Sequence, residues 1–122
     1  MSFRHVTLLS FLVAGVLTLV LLLIPGVVFW LFGLNQTEAA TVMLRRCGVL
    51  FAGIAILLWG ARRAKGATQV VFARGMVVMM GGMAILGLAE FLADRVGPGI
   101  FVAMTIETLL AVAYLPYIRR RF

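Results

Sequence analysis

Val6 to Ile24 is a run of nineteen residues without a charge, about 28 Å as a helix and so long enough to cross a hydrocarbon core of about 30 Å. Three further apolar stretches follow it, at about 39–62, 69–93 and 100–118. They are continuous rather than alternating, which argues for helices and against a transmembrane β-barrel. Hydrophobic residues make up 64% of the 122, and the mean hydropathy is +1.16; ordinary soluble domains hold about 45–50% apolar residues. A chain this short cannot hide that much apolar surface in a soluble core. The expected fold is therefore all-α: a polytopic membrane protein, one transmembrane domain over 1–122, with four transmembrane helices in an up-down-up-down bundle and both termini cytoplasmic.

The punctuation between the spans supports this division. Arg4 ahead of a long apolar run imitates a signal peptide, but no small-x-small cleavage site follows, so the run reads as a retained anchor. Pro25-Gly26 interrupts the first helix, since proline removes a backbone donor and clashes with the preceding turn. The segment of about 25–34, with Phe29, Trp30 and Phe32, is short and aromatic, as an interfacial segment is. Asn35-Gln36-Thr37 is the first polar break, and Thr37 is suited to cap the second span. Gly66-Ala67-Thr68 and Val96-Gly97-Pro98-Gly99 read as the remaining turns. Loops this short predict that consecutive helices are antiparallel neighbours. Tyr114, Tyr117 and the run Arg119 to Arg121 read as an aromatic and basic anchor, with Pro116 bending only the end of the last span.

The net charge of +7 follows membrane topology and not nucleic-acid binding. Arg4, Arg62, Arg63, Lys65, Arg74 and Arg119 to Arg121 flank the apolar runs on one side, with no acid among them. All four acids, Glu38, Glu90, Asp94 and Glu107, fall toward the other side with Arg45, Arg46 and Arg95. The positive-inside rule makes the first side cytoplasmic, and a basic collar at anionic headgroups accounts for the charge.

One constellation carries weight. From Cys47 to Ala61 only fifteen residues lack a charge, about 22 Å, so the second span crosses only if Arg45 and Arg46 lie below the membrane surface. Measured from the same helix ends, Glu107 and Glu90 reach overlapping depths, roughly 6 to 13 Å in. An isolated charge at the membrane centre costs about 2.5–3.5 kcal/mol on insertion scales. The expectation is thus a buried charge cluster of Arg45, Arg46, Glu90 and Glu107, stapling the helices in register. Neighbouring residues point about 100° apart, so only one arginine can face a given partner. Arg45 shares a stripe with Gly48 and Ala52, which favours it as the inward one.

Enzyme chemistry is not expected. There is no serine with a histidine and acid, no HExxH and no phosphate loop. His5 and Cys47 are single residues of their kinds, so no metal site, redox motif or cofactor is expected. His5 reads as a solvated interfacial residue, Cys47 as a small buried hydrophobe. Met76, Met79, Met80 and Met83 read as filler rather than a soft-metal path. Asn35-Gln36-Thr37 also matches a glycosylation acceptor, which matters only in a eukaryotic secretory pathway.

A proline near the end of the first span, Phe32-Gly33-Leu34 after it, Arg46-Cys47-Gly48 opening the second, glycines Gly75, Gly81, Gly82 and Gly87 in the third and Glu107 in the fourth together resemble the small uncharacterised bacterial four-helix integral inner-membrane proteins. Small multidrug-resistance transporters are similar in size, but their essential glutamate is in the first helix, where this chain has no acid. The resemblance implies the bacterial inner membrane as location. The expected function is non-enzymatic: an accessory or structural subunit packed against a larger membrane complex. Its partners would be the bilayer and a membrane protein, or a second copy, meeting small-residue helix faces. The alternative is a small oligomeric transporter or channel that uses the buried arginine–glutamate cluster.

Overall fold

The computed structural model describes residues 2–119; the expected anchor residues Arg120 and Arg121 lie outside them. Five α-helices follow in order: α1 Phe3–Leu23, α2 Gly26–Phe32, α3 Glu38–Ala61, α4 Gly66–Leu92 and α5 Ile100–Tyr114, closed by a 3-10 turn over Leu115–Tyr117. Four helical stretches, Phe3–Leu23, Glu38–Ala61, Gly66–Leu92 and Ile100–Tyr117, are long and apolar enough to cross a membrane. The short α2 lies where an interfacial segment is expected, with Trp30 80% exposed and Phe29 turned into the protein.

Local chemistry sets the helix ends. Ser2 caps α1 by accepting from the His5 amide, and its hydroxyl lies 2.7 Å from His5 Nδ1. The Ala40 amide donates to Thr37 Oγ1 at 3.2 Å, so Thr37 caps α3. Gly33, at φ +66°, ends α2: Leu34 N–H donates to the Phe29 carbonyl and Gly33 N–H to that of Trp30. This pair of bonds, with a left-handed residue after the helix, is the Schellman termination. Asp94 plays the same part for α4 at φ +58°. Its N–H donates to the Phe91 carbonyl, and that of Arg95 to the Glu90 carbonyl. Asp94 is thus a helix stop; aspartate tolerates the left-handed region because its short polar side chain bonds locally.

The helices associate as two pairs, α1 with α3 and α4 with α5. In the first, Gly48 of α3 meets Leu21 and Leu22 of α1, and the rings of Phe11 and Trp59 stand 5.3 Å apart. In the second, Gly87 of α4 lies against Met104 of α5, and Phe91 packs edge-on to Phe101 at 4.7 Å. The pairs join through α1 and α5, where Phe3 and Val6 meet Tyr114 in a core completed by Ala55, Leu58, Ala73, Met76, Met80 and Leu110. The expectation that all consecutive spans are close neighbours fails for α3 and α4, whose backbones hardly approach. Gly48 gives α3 a close seat on α1 instead, and Gly87 does the same for α4 on α5.

Outside the core the surface is apolar. Leu12, Ile56, Val78 and Leu109 are between 61% and 74% exposed, whereas Thr7 and Ser10 are buried. Such a polarity suits surrounding lipid, in which the drive to associate comes from packing and hydrogen bonds rather than from burial of oil. Gly48 tests this. A Cβ there would lie 3.1 Å from Leu21 Cβ and 3.1 Å from Leu22 Cγ, whereas one at Gly53 would meet nothing within 4 Å. Gly48→Leu is expected to destabilise by about 1–3 kcal/mol through overpacking, and Gly53→Leu by no more than about 0.5 kcal/mol. Thermal unfolding in detergent separates the two, and equal melting would contradict the α1–α3 seat.

Candidate functional site

Arg45 and Arg46 stand in the third turn of α3, less than one turn before the Gly48 seat on α1. At 3.6 residues per turn, Arg46 lies about 160° around the helix from Gly48, and Arg45 about 60° from it. Both side chains are exposed, and among the described residues neither makes an ion pair or a hydrogen bond. Arg45 is the nearer of the two to the α1 seat, but it does not enter the interior.

The reason lies in the pairing of the helices. The helix that covers α3 is α1, and Phe3–Leu23 contains no acid. The acids sit on the other pair. Glu90, near the end of α4, bonds to Arg95 at 3.3 Å, with side-chain exposures of 31% and 68%. A partly exposed pair only five residues apart closes the helix end and is worth about 1 kcal/mol at most. Glu107 is half-buried on the stripe of α5 that carries Leu110 and Tyr114, and among the described residues it has no charged partner within ion-pair distance. The buried salt-bridge staple expected from the sequence is therefore not assembled within the chain. The depths were matched, but depth does not say which helices touch.

The fold does build a polar contact that sequence reasoning missed. Tyr114 is fully buried, not an interfacial anchor, and its Oη lies 2.8 Å from Ser10 Oγ. Ser10 donates to the Val6 carbonyl and Thr7 to that of Phe3, so the hydroxyls of α1 satisfy themselves along their own helix. Phe3 stands edge-on to both Tyr114 and Tyr117, at 6.0 and 5.4 Å. The available signal was the spacing of Thr7, Ser10 and Ala14, a helical stripe of small and polar residues in an otherwise leucine-rich span.

Two cations at this same end are engaged. Arg74 Nε donates to the Ile118 carbonyl at 2.9 Å, tying α4 to the end of the last span. Arg62 lies over the Trp59 ring, 3.9 Å from its centroid, and donates to the Trp59 carbonyl. Arg63 and Lys65 are different: they line an open cavity of about 560 Å³ between α3 and α4, with Ile56, Leu57, Thr68 and Phe72. Met76 and Met80 belong to the core, whereas Met83 is exposed, so the methionines are divided between two environments. His5 is exposed and Cys47 half-buried, and the described residues hold no group of three or more histidines, cysteines or acids placed to bind a metal. Comparison of the chain with protein-family models, curated proteins and solved structures finds no match.

Proposed function

We propose that this chain is a non-enzymatic accessory or structural subunit of a larger complex in the bacterial inner membrane, arranged up-down-up-down with both termini cytoplasmic. One observation carries the reading: Arg45 and Arg46 lie in a spanning helix, exposed, with no counter-charge among the described residues. Intramembrane arginines are costly to leave so and are ordinarily paired. A neighbouring protein with a carboxylate at that depth would supply the pair. Open small-residue positions favour close approach by such a neighbour: a Cβ at Gly53 of α3, or at Gly75 or Gly82 of α4, would meet nothing within 4 Å.

The double variant Arg45→Leu, Arg46→Leu is accordingly expected to keep the melting temperature of the isolated chain but to lose the high-mass complex in mild-detergent purification from the native membrane. Arg62→Leu, which removes a contact within the chain, is expected to keep that complex. A chain that migrates alone before any substitution would refute the subunit reading. The half-buried Glu107 favours the second reading, an oligomeric transporter; loss of pH-dependent solute uptake in proteoliposomes on Glu107→Gln would select it.

A further inference from the structure

The cavity between α3 and α4 is not used by the subunit reading, and its lining is divided by chemistry. One part is cationic and polar, Arg63, Lys65 and Thr68; the other is apolar, Ile56, Leu57 and Phe72. We infer that this groove is a binding site for one anionic phospholipid, its phosphate held by Arg63 and Lys65 and an acyl chain lying on Ile56, Leu57 and Phe72.

Charge complementarity selects the occupant. No acid lines the cavity, and among the described residues Arg63 and Lys65 make no ion pair. Their neighbours Arg62 and Arg74 are already committed to Trp59 and Ile118. Two free cations beside a bilayer attract an anionic headgroup, and basic pockets between spanning helices are suited to it. The apolar part of the lining decides between lipid and soluble anion, because a free phosphate would leave it uncovered. Space is provided by the divergence of α3 from α4 and by Gly60, whose missing side chain leaves the groove open. This inference needs only that the chain spans a membrane, and holds whether or not it joins a larger complex.

The test is native mass spectrometry of the full chain released from nanodiscs of mixed phosphatidylglycerol and phosphatidylcholine. Preferential retention of phosphatidylglycerol is expected. Arg63→Gln or Lys65→Gln should each weaken the preference about fivefold, and the double variant roughly thirtyfold. Arg4→Gln, which alters an exposed cation outside the lining, should leave it unchanged. Gly60→Leu fills the groove without touching the charge, and since a Cβ there meets nothing the variant should fold and lose the bound lipid. Equal retention of the two lipids, or full retention by Gly60→Leu, would overturn the site. Displacement of the lipid by millimolar inorganic phosphate would overturn the lipid as its occupant.

Discussion

Tyr114→Ala is expected to cost about 3 kcal/mol and to uncouple the two helix pairs, whereas Tyr114→Phe should cost only about 0.6 kcal/mol. The difference follows from where each atom of the side chain sits. The ring is fully buried where α5 meets α1, edge-on to Phe3. In lipid the transfer of apolar atoms from water contributes little, so the loss is mainly of packing. A void on the order of 100 Å³ at about 24 cal/mol per Å³ gives about 2.4 kcal/mol. The hydroxyl adds less, because an interhelical hydrogen bond in a membrane averages about 0.6 kcal/mol. Its loss also strands nothing, since Ser10 keeps its bond to the Val6 carbonyl at 2.9 Å. Thermal unfolding of the purified chain in detergent measures both variants. If alanine were no worse than phenylalanine, Tyr114 would not be what joins the pairs.

That contact marks the limit of what the residues reveal before folding. The existence of the spans was legible because hydropathy and length decide it with no knowledge of neighbours: the expected second span of about 39–62 is Glu38–Ala61, and the first, about 6–24, is Phe3–Leu23. The early start of α1 comes from Ser2, a cap that an apolar window does not register. The cap at Thr37 and the breaks at Pro25 and Gly97 to Gly99 were legible too, because each is a local property of one or two residues. Pairing was not. Arg45, Arg46, Glu90 and Glu107 share a depth, which is a one-dimensional quantity, and the fold assigns them to different helix pairs through close seats at Gly48 and Gly87. A glycine in a spanning helix reads the same in sequence whether another helix lies on it, as at Gly48, or nothing does, as at Gly53.

Gly99→Ala gives the second large effect expected, about 3 kcal/mol, and its cause is steric rather than conformational. Gly99 has φ −60°, which any residue adopts, so the glycine is not there for backbone freedom. A Cβ would instead fall onto the carbonyl of Leu31, with that carbonyl carbon at 2.9 Å. The obstacle is backbone, which cannot swing aside as a side chain can. Gly33 and Gly97 complete the contact: a Cβ at Gly33 would meet Gly97 N at 3.3 Å, and the Gly97 amide donates to the Phe32 carbonyl at 2.7 Å. Three glycines thus let the end of α2 lie directly on the turn that starts α5, linking the first helix pair to the second at the end opposite Tyr114. Alanine at 99 must push the two backbones apart and break that hydrogen bond, adding roughly 1 kcal/mol to an overpacking cost of about 1–3 kcal/mol. Gly53→Ala, in an open helical position, is expected to be neutral or to stabilise by up to about 1 kcal/mol through helix propensity. Amide exchange at Gly97 reports on the contact directly: Gly99→Ala should abolish its protection while leaving the amides of α3 protected. Protection retained at Gly97, with unaltered melting, would mean that α2 does not rest on this turn and that the two pairs are joined through Tyr114 alone.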